Sequence, residues 1–142
     1  MVAGMESTDR LRAAGMRVTS ARLAILDAVC AGDHPSADEV ARLARERVGH
    51  VTLQAVYEAL GAFTEVGLLR KIDLGSGPAR YEDRVGDNHH HLACRRCGAV
   101  ADVDCVVGAA PCLEPAESYG FAVDEAVVTF WGLCPSCQAT ET

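Results

Sequence analysis

No stretch of this 142-residue sequence approaches the roughly 18 consecutive apolar residues that a membrane-spanning helix needs. A helical membrane protein, or a membrane partner, is therefore not expected. The opening residues MVAGMESTDR carry acids where a secretory leader would carry an apolar segment, so a cytoplasmic location is expected. There is no internal repeat beyond a doubled CxxC, and nothing calls for an organic cofactor. Basic residues are also short: the net charge is -7, unfavourable at first sight for a nucleic-acid binder. The deficit is not uniform. Residues 1–81 hold ten Lys and Arg against ten Asp and Glu, whereas residues 82–142 hold three against ten. The neutral half can still approach a polyanion through selected arginines, and the acidic half suits a cation.

What is present divides the same way. Thr19 or Ser20 can cap a helix through ARLAILDAV, with Ala21, Ala24, Ile25, Ala28 and Val29 at helical spacing before Gly32. Ser36-Ala-Asp-Glu39 has the capping-box form and opens a second helix with Val40, Leu43, Ala44 and Val48 on one face. A third helix starts at Thr52, buries Val56, Ala59, Leu60, Phe63 and Val66, and stops at Gly67. LLRKIDL and ARYED flank a Gly/Pro turn and read as a hairpin. Three helices and a hairpin describe a winged helix, whose last helix enters the major groove. Periodicity alone also fits a small helical core with a hairpin lid, so the second half has to decide.

Seven cysteines in a reducing compartment are better read as metal ligands or redox switches than as structural disulfides, and the odd count leaves at least one thiol unpaired. Cys94-Arg-Arg-Cys97 and Cys134-Pro-Ser-Cys137 can close a tetrahedral Zn2+ site, each pair aiming two sulfurs from a tight turn. The 36 residues between Cys97 and Cys134 exceed a compact zinc ribbon, so the turns must join distant strands. Ahead of the first pair stand Asn88-His89-His90-His91, with Glu82 and Asp83 upstream and Asp102 downstream. On a strand His89 and His91 face one side and His90 the other, so the pair can chelate one ion. Imidazole with carboxylate suits Fe(II), Mn(II), Zn(II) or Ni(II) without selecting one. Cys30 reads as a small buried hydrophobe. For Cys105 and Cys112 a reversible disulfide and buried packing both remain open.

GMRVTSAR with AILDAV, DHPSADEV, VTLQAVYEALGAFTEVGLL, HHHLACRRCGAVADVD and WGLCPSC together resemble the ferric uptake regulator (Fur) family over nearly the whole chain. QAVY, DNHHHLACRRCG and DVDCVVGAAPC look like its peroxide-sensing, PerR-like branch of the FurA/CatR type. The resemblance implies an α+β protein. A winged-helix DNA-binding domain over 1–81 would be followed by a hinge over 82–88 and a zinc-containing α/β dimerisation domain over 89–142. It implies structural zinc on Cys94, Cys97, Cys134 and Cys137, and a regulatory Fe2+ or Mn2+ on His34, Glu82, His89, His91 and Asp102. It further implies a homodimeric repressor on double-stranded operator DNA, released when iron promotes oxidation of a ligand histidine, with His34 and His89 the targets. Asp102 stands where iron sensors of the family tend to carry glutamate, which favours the peroxide-sensing branch. Arg17, Arg22, Thr52, Gln54, Ala55 and Tyr57 are the candidates for DNA contact, with packing the competing role for Tyr57. QAVYE departs from the more usual ATVYR or ATVYN, and Glu58 places a carboxylate where a phosphate- or base-contacting residue often sits. AVDEAVVTFWGLC has no histidine, so a further family metal site is expected to be absent or weak.

Within the family, an iron or other divalent-metal uptake regulator without peroxide sensing, or a repressor switched by Cys105 and Cys112, are the alternatives. Outside it stand a metal-dependent hydrolase, for which no separate general base is evident, and a zinc carrier, which would not need the winged-helix half. An enzyme is not expected.

Overall fold

The computed structural model describes residues 6–75, 77–83, 89–103, 117–123 and 127–140. The chain divides into two compact units, Met1–Val85 and Gly86–Thr142.

The first unit holds helices α1 (Ser7–Ala13), α2 (Ser20–Ala31), α3 (Ala37–Val48) and α4 (Leu53–Glu65), then strands β1 (Arg70–Ile72) and β2 (Arg80–Glu82). Three of the helices start where side-chain oxygens take up otherwise unbonded amides. Thr19 accepts from Arg22 N–H, Ser36 from Glu39 N–H and Thr52 from Ala55 N–H. Leu11, Ile25, Leu26, Val29, Val40, Ala44, Val56, Leu60 and Phe63 interlock as one apolar core. Two expectations shift. Leu26 is fully buried while Ala21 is not, because α2 packs against both α3 and α4 and buries more than one stripe. Val66 is 47% exposed, since it lies beyond the last turn of α4, where the chain swings toward Gly67 at φ 81°. Helix α1 was not expected; its one buried residue is Leu11, too little to make a periodic stripe.

β1 and β2 form the antiparallel wing, with Arg70 opposite Glu82 and Ile72 opposite Arg80. β2 also leans on the loop before α3. Tyr81 N–H donates to the Pro35 carbonyl at 3.0 Å, and Ser36 and Arg80 form an isolated antiparallel bridge. That pairing brings the end of the wing to His34.

In the second unit, β3 (His90–Cys94) lies between β4 (Val100–Val103), antiparallel, and β5 (Thr129–Gly132), parallel, followed by the short helix α5 (Pro135–Ala139). The parallel register sets Cys94 opposite Gly132. The two CxxC turns therefore leave neighbouring strand ends, although far apart in sequence. Among the described residues, its buried apolar side chains are few: Ala93, Val100 and the cysteines 94 and 137.

Replacing Leu60 with alanine should destabilise the first unit by about 2–5 kcal/mol. Thr19→Ala, which removes only a cap, should cost about 1 kcal/mol. Urea unfolding followed by circular dichroism measures both.

Candidate metal centres and nucleic-acid interface

Cys94, Cys97, Cys134 and Cys137 converge, their sulfurs all within 4.8 Å of one another. Each turn is built for this. After the first pair Gly98 takes φ 78°, a conformation that favours glycine, its N–H donates to the Cys94 carbonyl, and Cys94 N–H donates to Ala99. In the second, Cys134 precedes the first turn of α5 and Pro135 opens the helix, where a missing N–H costs nothing. Cys97 and Cys134 sulfurs stand 3.6 Å apart, too far for a disulfide. The backbone amides of Cys97 and Cys134 point at Cys94 Sγ from 3.5 and 3.4 Å and, with that of Arg96, pull its thiol down to about 5. Cys137, desolvated and hydrogen-bonded among the other three sulfurs, is pushed up to about 12. Four thiolates this close repel one another unless a cation sits among them. The donor set, four sulfurs close enough to share one ion, fits zinc.

Imidazoles and carboxylates gather in each unit. In the first, His34 adopts φ 54°, uncommon for a non-glycine residue and the more notable directly before Pro35. Its ring lies between two carboxylates: Nε2 is 3.1 Å from Glu82 Oε2 and Nδ1 is 2.8 Å from Asp33 Oδ1. Arg80 Nη1 donates to the His34 carbonyl at 3.1 Å. His34 and Glu82 are buried, whereas Asp33 reaches solvent. Reading the sequence missed Asp33 as the ring's orienting partner; the signal was an acid directly before the candidate histidine. In the second unit, the β3/β4 register sets His91 opposite Asp102. His89 Nε2 and His91 Nε2 are 3.5 and 3.3 Å from Asp102 Oδ1, and the two rings meet edge to face at 4.9 Å. His90 points the other way, its Nδ1 accepting from Val128 N–H at 3.3 Å. A histidine that binds a metal is typically oriented by a hydrogen bond at its other ring nitrogen, and His34 has a carboxylate at each of its two.

The candidates for DNA contact all lie in the first unit. Tyr57 is 52% exposed on α4, turned away from the buried Val56 and Leu60, so core packing does not account for it. Thr52 and Gln54 share its outward side. Arg17 and Arg22 border a cleft of about 330 Å³ with Thr19, Ala55 and Glu58, between the start of α2 and α4. Arg22 also ties its own loop, donating to the Arg17 carbonyl at 2.8 Å. Cys30 is only half-buried: Arg10 Nη1 donates to its sulfur at 3.1 Å, and burial, then the Asp83 charge, raises its thiol pKa. Cys105 and Cys112 lie outside the described residues.

Comparison with known proteins accounts for these features together. Residues 13–130 match the ferric uptake regulator family. The transcriptional regulator FurA of Mycobacterium tuberculosis is 50% identical over 134 residues, 94% of this chain and 91% of that protein. The structure of the Helicobacter pylori ferric uptake regulator, which has three functional metal-binding sites, superimposes with a TM-score of 0.70 at 17% identity, covering 94% of this chain and 89% of that one. A zinc uptake regulator complexed with zinc and DNA gives 0.64 at 24% identity, over 95% and 92%. The chain belongs to the ferric uptake regulator family of metal-dependent transcriptional regulators. Its fold is the α+β arrangement of that family, a winged-helix DNA-binding domain followed by an α/β dimerisation domain.

Cys97→Ser should abolish the binding of one zinc per chain, read by elemental analysis. Hydrogen exchange should then show the Arg95 amide, which lies just past β3 and bonds the Gly132 carbonyl at 2.8 Å, losing protection while α2 and α4 keep theirs.

Proposed function

We propose that this protein is a dimeric, peroxide-responsive repressor that binds operator DNA when a regulatory divalent cation, Fe(II) or Mn(II), is held by ligands from both units. The observation that carries it is the pair of histidine–carboxylate groups, His34 with Glu82 on the winged helix and His89 and His91 with Asp102 beside the zinc cysteines. Imidazole and carboxylate together are the donors such ions take. A ligand set divided between a DNA-binding unit and a dimerisation unit would make metal and DNA bind with positive coupling. Zn2+ on the four cysteines would be structural, with no part in the response.

The exposed apolar residues of the second unit favour a homodimer. Leu92 and Phe130 are register partners on β3 and β5, both nearly half exposed, and Tyr119, Phe121 and Val127 are more exposed still. An apolar surface of that kind is what a self-complementary interface covers. Bound Fe(II) would supply an electron to peroxide next to its own ligands, and His34 and His89 would be the side chains within reach. Asp102, a one-carbon-shorter carboxylate than glutamate, supports this branch of the family. Arg17, Arg22, Thr52, Gln54, Ala55 and Tyr57 would meet the DNA. Such a regulator acts in the cytoplasm, and no helix among the described residues is long and apolar enough to cross a membrane. The relatives are named as regulators, which supports a regulatory rather than an enzymatic role.

Protein loaded with Fe(II) or Mn(II) should bind operator DNA at least about tenfold more tightly than chelated protein, and His34→Ala should remove that difference. Micromolar peroxide should release only the iron form from DNA and add oxygen to the peptides carrying His34 or His89, read by mass spectrometry. Oxygen on neither histidine, with DNA binding unchanged, would leave a plain metal-uptake regulator.

A further inference from the structure

Helix α4 turns Val56, Leu60 and Phe63 into the core and leaves Gln54, Tyr57, Glu58 and Gly61 on its outer side. One hydrogen bond organises that side: Gln54 Nε2 donates to Glu58 Oε1 at 3.2 Å. A carboxylate only accepts, so this bond fixes the amide, nitrogen toward Glu58 and Oε1 free. Among the described residues Glu58 has no cationic partner, although Arg17 and Arg22 border the same cleft. Gly61, one turn further along, weakens the helix without an internal reason, since a Cβ there would meet nothing within 4 Å. A smooth, uncluttered outer side suits close approach to a partner.

An unneutralised carboxylate near a polyphosphate weakens binding wherever the DNA is touched through its backbone. Glu58 is favourable only against a donor. In the major groove the donors are the N4 amino group of cytosine and the N6 amino group of adenine, whereas guanine and thymine present acceptors. Adenine sets its N7 acceptor beside N6, which repels a carboxylate; cytosine sets no acceptor next to N4. We propose that the Gln54–Glu58 pair reads a cytosine in each operator half-site, Glu58 accepting from N4 while its other oxygen keeps the Gln54 amide in place. The inference rests on the DNA-binding reading above and adds its sequence preference.

The test is selection from a random duplex library by the full-length Mn(II)-loaded protein, with Glu58→Ala and Glu58→Gln alongside. These are exposed positions, so folding is not at issue. The parent should enrich a cytosine at one position of each half-site, with about five- to a hundredfold discrimination there. Glu58→Ala should flatten that position, leaving the salt dependence of binding unchanged because no phosphate contact is lost. Glu58→Gln should move it toward adenine. Recovered duplexes with identical base preferences in all three proteins would overturn the inference alone. Failure of the metal-loaded parent to enrich any duplex would overturn the DNA-binding reading and the inference with it.

Discussion

Four cysteine sulfurs converge within 4.8 Å of one another in the second unit, and a metal among them would tie its strand ends together. Among the described residues that unit buries few apolar side chains, so a metal held by the four sulfurs would contribute to holding its three-stranded sheet. A zinc ion among them would link the ends of β3 and β5 and stabilise that sheet. The same strand that ends in Cys94 carries His91, which the antiparallel register with β4 sets opposite Asp102.

The first unit works by the opposite means. Its helices are capped, interlocked and apolar inside, stable enough to hold one residue in an unfavourable conformation. His34 is that residue. Tyr81 bonded to Pro35, and Arg80 bonded to the His34 carbonyl, hold its backbone from both sides and deliver Glu82 to its ring. Backbone strain concentrates where a side chain must be aimed, and here it falls on a histidine that the sequence had already marked by its place in DHPSADEV.

Legibility in the sequence followed the strength of the local signal. The caps at Thr19, Ser36 and Thr52 could be read because a hydroxyl ahead of an apolar period has one common structural meaning. The CxxC pairs and the alternation of His89 and His91 could be read because turn and strand geometry are short-range. What could not be read depends on the third dimension. Helix α1 has only Leu11 to bury, Leu26 is covered because α2 packs on two sides, and Val66 is exposed because the helix ends one residue earlier. Asp33 escaped notice because its role comes from a ring it orients, and the Gln54–Glu58 bond because it lies on a face with no packing to mark it.

The parallel pairing of β3 with β5 has a consequence for the order in which the protein forms. Parallel neighbours cannot be joined by a tight turn, and here the partner of His91 is Thr129, with the second cysteine pair beyond it. Long-range pairing of this kind is slow, because the chain between the partners loses freedom before any contact compensates. During synthesis the helical unit emerges first and can complete its local contacts early. The sheet must wait for β5, and the convergence of all four sulfurs must wait with it. A nascent chain therefore carries a finished winged helix before it has a second unit to govern it.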